Sequence, residues 1–189
     1  MRQQGVSEAS VEVNSKPPAE MIMRRGIAEG ERMGELTRII YSLSSPTFVV
    51  SPDHKVIYWN KALEALTGKK EEELRGTDRH WTAFYEEERP CLVDLVVDGR
   101  IDELDQRYDK WSKSKYVPDG YQAEKWLRIR GGERYILFTA APVYDGEGNL
   151  IAGVETFEDI TERKKLEKRL EDTVEKLKAS QEELSTPVV

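Results

Sequence analysis

The sequence has few of the residues that several common protein classes require. Cys91 is the single cysteine among 189 residues, which excludes an intramolecular disulfide and a cysteine-rich metal site. No run of about eighteen apolar residues occurs, so no membrane-spanning segment is predicted. Residues 1–20 have no apolar core of the kind that a secretory signal contains. These absences predict a cytoplasmic protein that does not insert into a membrane.

Positive charge is not in excess either. The formal net charge is -7, so no large basic surface is predicted and nucleic acid is not an expected partner. The composition is 38% hydrophobic and 34% charged, which is too apolar for full disorder and too charged for a compact globule throughout. Part of the charge should therefore lie on an extended, solvated element.

Catalytic motifs are also missing from the sequence. There is no nucleophile–base arrangement, no phosphate-binding glycine loop and no metal-ligand spacing. We therefore predict neither enzyme activity nor a metal site.

The first 43 residues divide into two segments. Residues 1–20 are polar and are predicted to be a disordered tail. Residues 21–43 have apolar residues at helical spacing and are predicted to form an amphipathic helix. Either this helix contributes to a dimer seam or it is frayed and needs a partner. Its apolar stripe comprises Met33, Leu36, Ile40 and Leu43, of which Met33, Leu36 and Ile40 are candidate dimer residues.

The middle of the chain alternates strand and helix patterns. TFVVS and KVIYWN predict a hairpin, and Lys61 to Gly68 predicts a short helix closed by glycine. A further helical stripe is predicted over Ile101, Leu104, Tyr108 and Trp111. Three more strands follow from Glu124 to Asp159, separated by tight turns that require antiparallel pairing. The pattern predicts an α+β fold.

This order of elements resembles the PAS domain, a sensory module of bacterial signalling proteins. The resemblance extends from about Leu43 to Leu166, over TFVVSPDHKVIYWNKALEALTGKKEEELRG and KWLRIRGGERYILFTAAPVYDGEGNLIAGVETFEDITERKKLE. Its most specific parts are Trp59-Asn60, Gly68, Gly76, the Gly146–Gly148 turn and Asp159-Ile160-Thr161. It implies a five-stranded antiparallel sheet with short helices on one face, in residues 44–161, flanked by N-terminal and C-terminal amphipathic helices.

The resemblance also implies where a signal would leave the domain. Asp159, Ile160 and Thr161 match the junction between the last strand of the family and its output helix. Asp159 would make a polar contact that fixes the junction, and Thr161 would cap or orient the helix. Threonine is a preferred residue at helix N-termini, which agrees with that role. The triplet could equally do no more than end a strand and start a helix.

Residues 162–185 are predicted to form a coiled-coil helix. Its seam follows a 4-3-4-3-4 spacing through Leu166, Leu170, Thr173, Leu177, Ser180 and Leu184. Two polar members make this seam weak, which suits an adjustable dimer contact, although a solvated linker helix is the alternative. Residues 186–189 complete the string ELSTPVV, which resembles the start of a STAS domain of stressosome-type regulators. The expected partners are a second copy of the chain and a STAS or kinase output domain, although no histidine that could accept a phosphoryl group follows the helix.

The family cavity can hold a cofactor, a metabolite or nothing. Candidate pocket residues are Phe84, Tyr85, Cys91, Leu95, Trp126 and Phe138. They could bind a small organic ligand or simply fill the core. His80 is a candidate axial haem ligand but is more typical of a structural histidine, and the RPCLVD context of Cys91 does not match the motif of a flavin adduct site. We expect neither haem nor flavin. Two functions remain: a dimeric sensory module, or a ligand-free dimerisation scaffold.

Overall fold

The computed structural model describes residues 34–35 and 37–185, with side chains to residue 181. The predicted tail at 1–20, most of the predicted helix at 21–43 including Met33 and Leu36, residues 186–189 and the side chain of Leu184 therefore lie outside the described part. By its contacts the chain divides into two units, Met1–Thr37 and Arg38–Val189. The fold belongs to the second unit, in which residues 38–42 are helical and include Ile40, whereas Leu43 is not helical.

The second unit is built on one antiparallel sheet of six strands. In space the strands follow the order β2-β1-β6-β5-β4-β3. The strands are β1 (Thr47–Val50), β2 (Val56–Trp59), β3 (Lys110–Lys113), β4 (Tyr121–Ile129), β5 (Gly132–Tyr144) and β6 (Leu150–Asp159). The helices are α1 (Lys61–Thr67), α2 (Glu71–Leu74), α3 (Leu92–Val97), α4 (Leu104–Arg107) and α5 (Thr161–Ser185), with 3-10 turns at His80–Ala83 and Ile101–Glu103.

Asn60 fastens the hairpin β1–β2 to the helix that follows it. Its Oδ1 accepts hydrogen bonds from the backbone N–H of Leu63, at 2.9 Å, and of Thr47, at 3.0 Å. Its amide nitrogen donates to the Ser45 carbonyl at 2.8 Å. One buried side chain therefore caps α1 and fixes the start of β1, because asparagine offers both an acceptor and donors. Gly68 ends α1 with a left-handed φ of 79°, as the glycine in the sequence predicts.

The core lies between the sheet and the short helices. Helix α3 is fully buried along Leu92, Val93 and Leu95, and it packs on β5 and β6. At the contact with β6, Gly153 leaves room for helix α3. A Cβ atom there would lie 2.5 Å from Cγ2 of Val93 and 2.6 Å from Cγ2 of Val97. The small residue in β6 thus sets how closely α3 approaches the sheet.

The strand count is six rather than the expected five, and the helical stripe predicted through Trp111 ends early. Helix α4 stops at Arg107, and Trp111 lies in β3, which pairs with β4. The polar sequence KWSK has no strand-like apolar alternation, but lysines are typical of short edge strands, where they discourage pairing with other chains. Among the described residues, no helix is both long enough and apolar enough to cross a membrane.

Candidate functional site

The end of β6 is bonded both to β5 and to the start of α5. Oδ1 of Asp159 accepts the backbone N–H of Thr161 at 3.1 Å and the Thr161 hydroxyl at 2.5 Å. Oδ2 of Asp159 pairs with the Arg134 guanidinium at 2.5 Å. The Thr161 hydroxyl also accepts the backbone N–H of Tyr135 at 2.9 Å. Asp159 and Thr161 thus tie the first residue of α5 to two strands.

Ile160, between these two residues, is a buried link in the same junction. Its side chain is 2% exposed, and its backbone N–H donates to the Tyr135 carbonyl at 2.9 Å. Burial alone would raise the pKa of Asp159, but the hydrogen bonds from Thr161 and Arg134 outweigh it and lower that pKa. Asp159 is therefore ionised at neutral pH, when its charge-assisted hydrogen bonds are strongest.

The first turn of α5 is also held to the outer face of the sheet. The ammonium of Lys164 lies 3.0 Å from Oε2 of Glu124 on β4 and 5.3 Å from the ring centre of Tyr135 on β5. Beyond this turn the helix extends into solvent and presents an apolar stripe. Leu166, Leu170 and Leu177 of the predicted seam are 59%, 66% and 60% exposed.

Two further positions of the predicted seam, Thr173 and Ser180, carry polar side chains. The Thr173 hydroxyl donates to the Arg169 carbonyl at 2.7 Å, so its polar group is satisfied within the helix. Ser180 is exposed. Val174, which the heptad spacing did not include, is 41% exposed and lies between Leu170 and Leu177 on the same side of the helix. The apolar stripe is consequently wider than the predicted seam.

Most of the predicted pocket residues come together in the core. Phe84, Cys91, Leu95 and Phe138 belong to one buried cluster, and Tyr85 packs against it. Phe84 stacks on Phe157 with ring centres 4.7 Å apart. These side chains fill the space between the sheet and the short helices.

Trp126 does not join this cluster. Leu127 faces the core, so Trp126 beside it in β4 points to the other face of the sheet. There its ring centre lies 5.0 Å from that of Tyr135, and the side chain is 48% exposed.

His80 is part of a network that the sequence did not reveal. Its Nε2 lies 2.9 Å from Oδ2 of Asp94, and its buried Nδ1 has no partner among the described residues. Asp94 also accepts the backbone N–H of Cys91, at 2.7 Å, and its Oδ1 lies 2.8 Å from Nδ1 of His54. Potential ligand atoms of His80, Cys91 and Asp94 all lie within 4.8 Å of one another. Hydrogen bonds around Asp94 account for this proximity, and a haem ligated through Nε2 of His80 would have to displace Asp94.

A second buried acid, Glu155, lies on the inner side of β6. Its Oε2 accepts the backbone N–H of Val93 at 2.8 Å, whereas its Oε1 has no partner among the described residues. Burial raises its pKa well above the usual value, which favours the neutral form of the carboxyl group. Burial likewise raises the pKa values of the nearby hydroxyl groups of Tyr85 and Tyr108. The alternation of inward and outward residues along β6 could have predicted that Glu155 is buried, because it occupies an inward position between Gly153 and Phe157.

An open cleft of about 570 Å³ lies beside this interior, between β4 and the residues that follow the first 3-10 turn. Phe84, Tyr85, Arg89, Lys125 and Leu127 are among its lining residues. Arg89 and Lys125 have no motif in the sequence, and only the folded chain brings them to the same cleft.

Solved structures with similar folds include several sensor domains. The PAS domain of BvgS from Bordetella pertussis is 17% identical, with a TM-score of 0.46, and the match covers 76% of this chain and 98% of that one. An RNA-binding light-oxygen-voltage receptor is 19% identical, with a TM-score of 0.54, over 90% of this chain and 41% of the receptor. A sensory box histidine kinase/response regulator from Burkholderia thailandensis E264 is 21% identical, with a TM-score of 0.43, over 72% and 92% of the two chains.

The likeness to the light-oxygen-voltage receptor, whose TM-score exceeds 0.5, shows the fold, and the family is shown by the sequence. Among curated proteins, no sequence matches this chain significantly. The model of the PAS domain family matches residues 44–162, which are more than half of the chain. The α+β PAS fold implied by the sequence is thereby confirmed. The chain belongs to the PAS domain family.

Proposed function

We propose that this protein is a dimeric sensory module that passes a ligand-dependent or conformational signal through Asp159-Ile160-Thr161 into α5. PAS domains are sensory modules of signal transduction, are generally not enzymes and often form dimers. The observation that carries the proposal is the hydrogen-bonded junction. Because Asp159 and Thr161 bond to Arg134 and Tyr135, a shift of β5 against β6 would change the start of α5.

The exposed stripe of α5 supplies the second half of the proposal. Leu166, Leu170, Val174 and Leu177 leave a long apolar surface in solvent, and such a surface is typical of a helix that pairs with another. Pairing with the same helix of a second copy would bury it. The weak seam would allow a small movement at the junction to change the helix register or splay. In this proposal α5 leads to a STAS or kinase output domain.

A double substitution tests the pairing. Leu170→Ala with Leu177→Ala should weaken the dimer at least tenfold in sedimentation equilibrium, because large side chains would be lost from the seam. The matched control is Lys168→Ala with Glu175→Ala, on the opposite side of α5, where both side chains are exposed and the net charge is unchanged. If both double variants dimerise as the wild type does, α5 is not the interface.

The alternative function is a ligand-free scaffold that only dimerises and positions neighbouring domains. One observation favours it, since the aromatic stack of Phe48, Phe84 and Phe157 fills the interior. A scaffold would keep the same α5 contacts whether or not a small molecule is present. A sensory module would change them, so helix geometry with and without ligand separates the two functions.

A further inference from the structure

The cleft beside β4 contains two half-buried cations, Arg89 and Lys125, that form no ion pair with a described residue. Lys125 extends from the core-facing side of β4, and Arg89 precedes Pro90 in the loop before α3. Nζ of Lys125 donates to the carbonyl oxygen of Arg107 at 2.7 Å, and Nη2 of Arg89 donates to the same oxygen at 3.3 Å. Two positive groups thus converge on one neutral acceptor.

This arrangement differs from that of the other half-buried cations in the described chain. Lys164 forms ion pairs with Glu124 and Glu167, and Arg107 forms one with Glu103. Neither Arg89 nor Lys125 forms an ion pair with any described residue, and the buried Nε of Arg89 has no hydrogen-bond partner there. Half-buried charges are usually paired, because an unpaired charge loses hydration without compensation. Arg89 and Lys125 are exceptions to this rule, and both line the cleft.

The two cations also oppose each other electrostatically. Burial and then the positive charge of Arg89 lower the pKa of Lys125, and only the carboxylate of Asp109 acts in the other direction. The ring of Tyr85 holds the Arg89 guanidinium in place, with Cζ 4.3 Å from the ring centre. An anion between Arg89 and Lys125 would remove their repulsion and supply the missing acceptor for the Arg89 guanidinium.

The rest of the cleft restricts what kind of anion fits. Ala83, Phe84 and Leu127 contribute apolar surface to the lining. Glu86 and Glu87 are exposed at the same cleft, but Lys69, Arg128 and Arg130 line it too, so these further charges oppose one another. Arg89 and Lys125 converge on one point, which a single carboxylate on an apolar body would fit.

We propose that this cleft binds a small organic monocarboxylate, with its carboxylate between Arg89 and Lys125 and its apolar part against Phe84 and Leu127. The assignment names the ligand class of the sensory module proposed above. It rests on that proposal for its biological meaning, whereas the binding itself follows from the cleft.

Isothermal titration calorimetry of the full chain tests the assignment with benzoate and hexanoate as probes. Their neutral amides, benzamide and hexanamide, have similar shapes and no charge. At least one carboxylate should bind at least tenfold more tightly than its amide. Lys125→Met and Arg89→Met, which keep most of each apolar stem, should each weaken that binding at least tenfold, whereas Lys110→Met on the edge strand β3 should not. Circular dichroism verifies that each variant is folded.

Three results would overturn the assignment: neither carboxylate binds better than its amide, carboxylate binding persists in Lys125→Met, or citrate binds more tightly than both probes. The relay is measured separately, by the pairing of α5 with and without benzoate. Binding that requires Lys125 and leaves α5 unchanged would support the site and contradict the relay. A change in the pairing of α5 on addition of benzoate, without binding that requires Lys125, would contradict the site and support the relay.

Discussion

At the scale of single residues, the Asp159 carboxylate links the first residue of α5 to Arg134 of β5. One carboxylate accepts hydrogen bonds from the backbone and hydroxyl of Thr161 and from Arg134. Its side chain is 30% exposed and that of Arg134 is 44% exposed, so the ion pair alone contributes at most about 1 kcal/mol. Most of its effect should come from the bonds that hold the first turn of α5.

Asp159→Ala should therefore lower the free energy of unfolding by about 1–2 kcal/mol, in the range of a lost helix cap. Urea denaturation measures this change. The control is Glu158→Ala, one residue earlier in β6, where the side chain is exposed. It should change stability by less than about 0.5 kcal/mol. Equal effects of the two substitutions would show that the Asp159 contacts contribute nothing specific.

His54 gives a prediction for the dependence of stability on pH. Burial would lower its pKa, but the hydrogen bond to Asp94 and the charges of Asp94 and Asp98 outweigh burial and raise it above 6.5. A raised pKa means that the folded state favours the protonated imidazole. The stabilisation is fully present below about pH 6.5 and is lost as the pH rises through the folded-state pKa.

The wild type should accordingly lose its stability advantage over His54→Asn as the pH rises from 6 to 9. Asparagine is chosen because position 54 has a φ of 63°, which asparagine tolerates. Thermal unfolding of both proteins at matched pH values measures the difference. A difference that stays constant or grows over this interval contradicts the proposed role of the Asp94 and Asp98 contacts.

The sequence was informative about individual residues only where a motif or a period marks them. The resemblance to the family predicts Asp159 and Thr161 as residues of the junction, and their role as a relay stays a prediction. Arg89 and Lys125 are 36 positions apart in the sequence, and nothing local indicates that both reach the Arg107 carbonyl. The network of His54, His80 and Asp94 could not be predicted for the same reason, since it joins a turn, a 3-10 helix and α3. Such contacts depend on tertiary packing rather than on spacing.

At the scale of elements, periodicity located the apolar strands well and the polar one poorly. Strand β6 spans Leu150–Asp159 as the pattern predicted, because its inward residues alternate with outward ones. Trp111 of β3 is predicted as part of a helical stripe instead, since it falls at helical spacing after Tyr108. The strand conformation of β3 is stabilised by pairing with β4 over Lys110 to Lys113. An edge strand that is stabilised by backbone pairing need not have the apolar alternation by which a strand is predicted from sequence.

The contact between α3 and β6 depends on a single glycine. Gly153→Ala should destabilise the fold by about 1–3 kcal/mol, because the added methyl group would meet Val93 and Val97, whose branched side chains adapt poorly. Gly146→Ala is the matched control, since a Cβ atom there meets nothing within 4 Å. Chemical denaturation compares the two variants. A Gly153→Ala protein as stable as the Gly146→Ala protein would mean that α3 can move away from the sheet without cost.

At the scale of the whole molecule, the PAS domain has a packed interior, and α5 extends from its sheet into solvent. The interior is closed by aromatic side chains, the proposed ligand cleft opens beside β4, and α5 leaves the sheet at its outer face. The cleft and the start of α5 share strand β4, which contributes Lys125 to the former and Glu124 to the latter. Because adjacent residues of β4 face opposite sides of the sheet, a movement of this strand would affect both.

Pulsed electron paramagnetic resonance tests the central claim most directly. A nitroxide at Lys168→Cys would report the distance between the two α5 helices of a dimer, and Cys91 is too buried to compete for the label. We predict a defined distance between chains, which changes in Asp159→Ala and not in Glu158→Ala. If no distance between chains is observed, or if all three proteins give the same distribution, the junction does not relay a signal into a paired α5.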